Sequence, residues 1–132
     1  MKHKQLTHQI IGVFYDVYNE LGHGFLESVY QRSLALALKS SGLEVHAEVK
    51  IPVWFRGQRV GQFEGDLLIN NLVLLELKVA RCLDFSHQAQ LLNYLRATEI
   101  EVGLVLNFGL KPEFKRLILD NASKSNRKAT GG

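Results

Sequence analysis

Hydrophobic positions recur through the first forty residues at the three- and four-residue spacing of an α-helix. Ile10, Ile11, Phe14, Val17, Tyr18 and Leu21 define one amphipathic helix, which Gly22-His23-Gly24 breaks. A second helix runs from about Leu26 to Ser40 on Leu26, Val29, Tyr30, Leu34, Ala37 and Leu38, and Gly42 is a natural stop. The period then falls to two. Val45, Ala47, Val49, Ile51 and Val53 alternate with His46, Glu48 and Lys50, giving a half-buried strand with Pro52 near a sheet edge. Arg56-Gly57-Gln58 forms a turn, and Val60 to Ile69 reads as a second strand interrupted by Gly65. Asn70-Asn71 supplies the next turn, because Asn tolerates positive φ. Leu72 to Val79 is a third strand, and its nearly unbroken apolar run marks a strand buried on both faces. Helical spacing returns from about Phe85 to Ala97, and Val102 to Phe108 gives a fourth strand ended by Gly109. Lys111 to Leu119 fits an edge strand or a short helix and is read as the strand.

This order, α-α-β-β-β-α-β with a final edge strand, predicts an α/β fold of the mixed α+β kind, in which a crossover helix packs on a mixed sheet. The 132 residues suit one core. We read residues 1–122 as that single domain and 123–132 as a flexible basic tail. No apolar run approaches the roughly 20 residues that span a bilayer. The N-terminal Met1-Lys2-His3-Lys4-Gln5 leads into an amphipathic pattern and not into a signal-peptide stretch. The expectation is a cytoplasmic protein with no membrane partner. A single cysteine, Cys82, excludes an internal disulfide framework and a cysteine-based zinc cage.

The formal charge of +3 is unevenly placed. Lys2, Lys4, Lys124, Arg127 and Lys128 lie at the two ends, expected to be mobile, and removing these five from the +3 leaves a body of −2. Charge alone therefore does not identify a nucleic-acid partner.

Glu76 and Lys78 interrupt the most hydrophobic strand. Burying an unpaired charge costs several kcal/mol or more, so a buried strand holds two charges only for a reason. Their i, i+2 spacing puts both on one face. Asp66 on the preceding strand can join them only if register allows. A plain two-residue hairpin at Asn70-Asn71 would set Asp66 against Leu75, on the wrong side of the sheet. A three-residue loop, or a bulge at Gly65, would restore the parity and set Asp66 opposite Leu74, beside Glu76. Two carboxylates on adjacent strands make a hard oxygen site suited to Mg²⁺ or Mn²⁺. The competing reading is an ordinary ion pair on a solvated edge.

Other residues carry weaker signals. Glu27 sits in the first turn of the second helix, where the dipole favours a carboxylate, with Tyr30 at i+3. Their plain reading is a helix-start glutamate and a core tyrosine. His87, Gln90 and Tyr94 form a polar stripe on the third helix. His3, His8, His23 and His46 show no ligand spacing and belong on the surface. Trp54 and Phe55 beside Arg56 and Arg59 suit either strand-end packing or a stacking and phosphate-contact patch.

Gly24-Phe25-Leu26-Glu27-Ser28-Val29-Tyr30 resembles the motif that names the GxxExxY protein family. Gly65-Asp66, Glu76-Leu77-Lys78, Gln90-Leu91-Leu92-Asn93-Tyr94-Leu95 and Gly103-Leu104-Val105-Leu106-Asn107-Phe108-Gly109 follow in that family's order. The resemblance spans roughly Ile10 to Leu119, and the family is placed in the PD-(D/E)XK nuclease superfamily. It implies a restriction-endonuclease-like core, with Asp66, Glu76 and the Leu77 carbonyl as metal ligands and Glu27 completing the site. It further implies Lys78 as the catalytic lysine, Gln90 beside it, and Tyr30 and Tyr94 in support. Gly65 stands where the superfamily's name has proline. The function so implied is Mg²⁺- or Mn²⁺-dependent hydrolysis of DNA, with RNA as the alternative substrate. A homodimer would double the gripping surface. The alternative is a non-catalytic nucleic-acid- or protein-binding module on the same fold, which the small size and modest body charge support, whereas Asp66, Glu76, Lys78, Glu27 and Gln90 together in one chain favour the enzyme.

Overall fold

The computed structural model of the chain describes residues 2–124. Helices α1 (Lys4–Leu21) and α2 (Glu27–Ser40) precede strands β1 (Val45–Phe55), β2 (Gln58–Ile69) and β3 (Val73–Lys78). Helix α3 (Phe85–Arg96) then leads to β4 (Val102–Phe108) and β5 (Pro112–Ile118), and a 3₁₀ turn over Asn121–Ser123 follows. The strands lie in the sheet in chain order. β3 and β4 run parallel, as the α3 crossover between them allows, and the other neighbouring pairs run antiparallel. The segment open to two readings is thus a strand. β4 is buried along its whole length, and β5 satisfies the hydrogen bonds of its far edge.

The sheet separates two cores. On one face, Ile10, Phe14 and Val17 of α1 and Tyr30, Leu34 and Leu38 of α2 pack on Leu75, Leu77, Leu104 and Leu106. The Tyr30 ring stacks on Phe108 with centroids 4.3 Å apart. On the other face, Leu91, Tyr94 and Leu95 of α3 cover Ile51, Leu74 and Val105. Each fully buried aliphatic or aromatic side chain contributes about 1.5–3 kcal/mol by leaving water, so both layers of helix are held mainly by this burial. α3 comes close to β4 because Gly103 has no side chain: a Cβ there would lie 2.9 Å from the Leu91 methyls.

Two of the terminal lysines, Lys2 and Lys124, have partners within the fold. Lys2 Nζ donates to Glu101 and Asp120, 3.0 Å from each, and ties the start of the chain to the end of the sheet. Lys124 Nζ donates to the carbonyls of Thr98 and Ile100 at 2.9 and 2.8 Å. The proposed basic tail therefore begins docked at Lys124, and its remainder, 125–132, lies outside the described residues.

Register between β2 and β3 meets the parity requirement. Asn70 and Asn71 both take left-handed backbone, with φ of 53° and 56°, and Leu72 N–H closes the turn on Ile69 at 2.9 Å. Leu72 is then an extra residue, because the ladder pairs Ile69 with Val73, Leu68 with Leu74 and Leu67 with Leu75. Continuing that register sets Asp66 opposite Glu76 itself, and not opposite Leu74. Leu74 is already taken by Leu68. β2 also changes phase beside this point. Gly65 lies against Leu74 and Ile51 of the α3-side core, whereas Leu67 belongs to the core under α1 and α2. Glu48 on β1, with φ of 55°, absorbs the irregularity.

Candidate metal and catalytic site

Regular pairing of β2 with β3 stops at Leu67–Leu75, one step short of the acidic residues. Side chains replace the ladder there. Asp66 Oδ2 accepts from Leu77 N–H at 2.7 Å, and Glu76 Oε1 accepts from Asp66 N–H at 3.3 Å. Each carboxylate thus caps an amide of the opposite strand, and the two acids meet in the seam where the strands part. Gln31 of α2 donates from Nε2 to the Asp66 carbonyl at 3.0 Å and fixes the outer side of the seam.

Two residues beyond Glu76, Lys78 Nζ donates to Gln90 Oε1 at 2.6 Å. Gln90 Nε2 donates in turn to the Tyr94 hydroxyl at 2.8 Å. This relay follows from helical spacing, since Gln90 and Tyr94 lie one turn apart on the face of α3 that meets the sheet. α3 starts firmly. Asp84 accepts from the amides of Ser86 and His87, and His87 Nδ1 accepts from Asp84 N–H. His87 is therefore a capping residue, and of its polar stripe only Gln90 and Tyr94 reach the site.

The exit of β3 is fixed by a residue to which the sequence alone gave no role. Asn107, fully buried on β4, accepts from Ala80 N–H at 2.8 Å and donates to Ala80 O at 2.9 Å. It also donates to Glu113 Oε1, which accepts from Leu83 N–H. An amide in an otherwise apolar strand is the same kind of signal that singled out Glu76, and it was available in the sequence. Gly109 completes this corner: a Cβ there would lie 2.2 Å from the Ala80 carbonyl oxygen.

Electrostatics single out the seam. Glu76 is 3 % exposed, and burial followed by the charge of Asp66 pushes its pKa up to about 8. Burial raises the Asp66 pKa too, opposed by the Leu77 amide and Lys78. Glu27, exposed at the start of α2, also titrates above the ordinary carboxylate range, through partial desolvation and then the charge of Asp66. Burial lifts the Tyr94 hydroxyl as well. The seam therefore lacks positive charge: Lys78 offsets only part of the repulsion, and a proton must stay on the acidic pair near neutral pH. That deficit is what a divalent cation would supply, and hard oxygen donors suit Mg²⁺ or Mn²⁺. Among the described residues no three His, Cys, Asp or Glu side chains converge closely enough to hold a metal ion by themselves. Glu27 feels Asp66 and Lys78 electrostatically without closing a three-carboxylate cage.

Tyr30 stands apart from the acids. Its hydroxyl donates to Gly22 O at 2.5 Å and accepts from Phe25 N–H at 3.3 Å, so it pins the α1–α2 loop that presents Glu27. The plain reading of Tyr30 as a core residue holds.

The crystal structure of SSO0001 superposes with a TM-score of 0.57 at 20% identity, over 73% of this chain and 52% of that one, so the chain spans about half the length of that protein. This likeness concerns the fold. An alkaline exonuclease from Laribacter hongkongensis aligns over 92% of this chain and 73% of its own at 12% identity, with a TM-score of 0.42. No curated protein matches the sequence. Among the described residues no helix is long and apolar enough to cross a membrane. The family model of the PD-(D/E)XK nuclease superfamily matches residues 4–117, which is all three helices and nearly the whole sheet. The chain belongs to the PD-(D/E)XK nuclease superfamily.

Proposed function

We propose that the chain is a Mg²⁺- or Mn²⁺-dependent nuclease that hydrolyses phosphodiester bonds of DNA, acting as a GxxExxY-type member of its superfamily. The observation that carries this reading is the crossed pair of carboxylates, buried Glu76 and half-buried Asp66, with Lys78 two residues beyond Glu76. Asp66, Glu76 and the Leu77 carbonyl would hold the ion, with water and phosphate oxygens filling the rest of its shell. A bound divalent ion supplies charge neutralisation at the scissile phosphate and lowers the pKa of water beside it.

The chain's own groups do the remainder. Asp66 and Glu76 are held in place by the amides they accept from, so little reorganisation is needed when they ionise. Lys78 offers an ammonium to the attacking water or to the charge that develops on phosphorus. Gln90 holds that ammonium, and Tyr94 holds Gln90, so the lysine is aimed by a relay fixed on α3. Glu27 adds negative charge at the rim, where it can orient a water molecule.

Cleavage of single-stranded and duplex DNA, and of RNA, in Mg²⁺ or Mn²⁺ tests the proposal against Lys78→Ala. Activity that needs the ion and falls by about a hundredfold or more in the variant supports it. Equal activity in the variant, or none on any nucleic acid, refutes it.

A further inference from the structure

β1 and β2 are longer than the strand beside them. β2 pairs with β3 over Leu67–Ile69, whereas its ladder with β1 runs from Val45–Ile69 out to Phe55–Gln58. The distal half of this hairpin, residues 49–63, is a two-stranded arm that continues past the seam holding Asp66 and Glu76. Its root is packed on the site's own relay. Ile51 is buried in the α3-side core, and the Phe63 ring lies 4.6 Å from that of Tyr94.

The arm has a charge of its own. Residues 49–63 contain Lys50, Arg56 and Arg59 and no acidic residue, a local +3 that the −2 of the body conceals. Lys50, Arg56 and Arg59 are all exposed. Register shows where they point. Lys50 pairs with Glu64 and Trp54 with Arg59, and Arg59 donates to Gln62. Cross-strand partners share a face, so Lys50 lies on the side of the ribbon where Glu64 lines a groove. That groove is bounded by Ser28, Gln31, Arg32, Glu48, Glu64 and Asp66, so its wall is mainly acidic and includes one of the two carboxylates of the seam. At the tip, Phe55 is 57% exposed and the Arg56 guanidinium sits 4.9 Å from its ring centroid. Arg56 holds this position with φ of 49°, a left-handed conformation that is unfavourable for a residue with a Cβ. A turn chosen for ease would carry Asn or Gly there.

We propose that this arm grips a single strand of nucleic acid and presents it to the seam of Asp66 and Glu76. Arg56, Arg59 and Lys50 meet phosphates, and Phe55 with Trp54 offers ring faces to unpaired bases, which a duplex keeps stacked on one another. This deepens the proposed nuclease reading by naming its substrate class, and it rests on that reading for its meaning.

The test separates the two. Trp54 is the sole tryptophan, so its emission reports on the arm without labelling. The full chain is titrated in EDTA with a mixed-sequence single-stranded DNA of about 15 nucleotides, and with the matching duplex. We expect Trp54 quenching and tighter binding of the single strand. Arg56→Ala with Arg59→Ala should weaken binding about tenfold or more and reduce the log–log salt slope by about 1.4, from about 0.7 per phosphate contact. Phe55→Ala should weaken binding about fivefold or more with the slope unchanged. These side chains are exposed, so circular dichroism and thermal midpoint should match the parent. Unchanged Trp54 emission, wild-type affinity in the arm variants, or preference for the duplex overturns the inference. An arm that binds in EDTA while the protein cleaves nothing with Mg²⁺ or Mn²⁺ refutes the nuclease reading and leaves the arm standing. Cleavage with an unaltered KM in the arm variants refutes the arm alone.

Discussion

Glu76→Gln should make the metal-free protein more stable in alkaline buffer while abolishing its chemistry. Glu76 titrates near 8 in the fold, against an ordinary value of 4.5. The folded chain thus holds this proton more tightly than the unfolded chain does. Its contribution to stability is complete below about pH 4.5, declines as pH rises towards 8, and is gone above that. At about 1.4 kcal/mol per pH unit, the full difference bounds the loss at about 5 kcal/mol. Relaxation and water entry around the ionised pair reduce this, and we expect a loss of roughly 2–4 kcal/mol. Glutamine keeps the acceptor for Asp66 N–H and never ionises. At about 3–4 °C per kcal/mol for a chain of this size, the variant should melt roughly 6–16 °C above wild type at about pH 9 in EDTA, and close to it at about pH 5. Mn²⁺ should then raise the midpoint of wild type and leave Glu76→Gln unmoved. Parallel curves for the two proteins between these pH values, or a variant less stable at the alkaline end, would show that Glu76 carries no strained charge.

Binding of Mn²⁺ to wild type near pH 7 should release protons, because the acidic pair must give one up. Calorimetry in buffers of different ionisation enthalpy measures this, and a buffer-independent heat would contradict it. Asn107→Ala leaves the half-buried Ala80 amide and carbonyl without their side-chain partner and should cost about 1–3 kcal/mol in urea unfolding. Gly109→Ala forces a Cβ onto the Ala80 carbonyl oxygen and should cost about 3 kcal/mol or more by the same measure. Tyr94→Phe removes the acceptor for Gln90 and should lower kcat more than it changes KM, and a change in KM alone would show that the relay does not aim Lys78.

The sequence carried the fold because its local signals agree. The period-two run of β1, the Asn70-Asn71 turn and the apolar run of β3 each constrain the next element, and little was left to tertiary override. Element ends were less legible. α1 begins at Lys4 and β2 at Gln58, where exposed polar residues give no hydrophobic period to read. The site was legible where charge interrupts burial, at Glu76 and Lys78, and where parity could be counted, at Asp66. The strand-to-strand exchange of amide for carboxylate was not, because it depends on the ladder ending one residue early. Asn107 breaks an apolar strand just as Glu76 does, but an amide is a weaker signal than a charge because burying it costs less. The docking of Lys2 and Lys124 is not legible in the sequence, because their partners, Glu101, Asp120 and two carbonyls, lie far along the chain or on the backbone. The arm is half legible: Trp54, Phe55, Arg56 and Arg59 suggest a stacking and phosphate-contact patch, but net charge averaged over the body hides the local +3.

Manganese binding to wild type and to Asp66→Asn, followed by electron paramagnetic resonance at about pH 8, probes the central claim most directly. Wild type should take up Mn²⁺, and the variant, whose amide still reaches Leu77 N–H but offers no charge, should bind at least about tenfold more weakly. Equal uptake by both proteins would contradict an ion held between Asp66 and Glu76, as would no uptake by wild type.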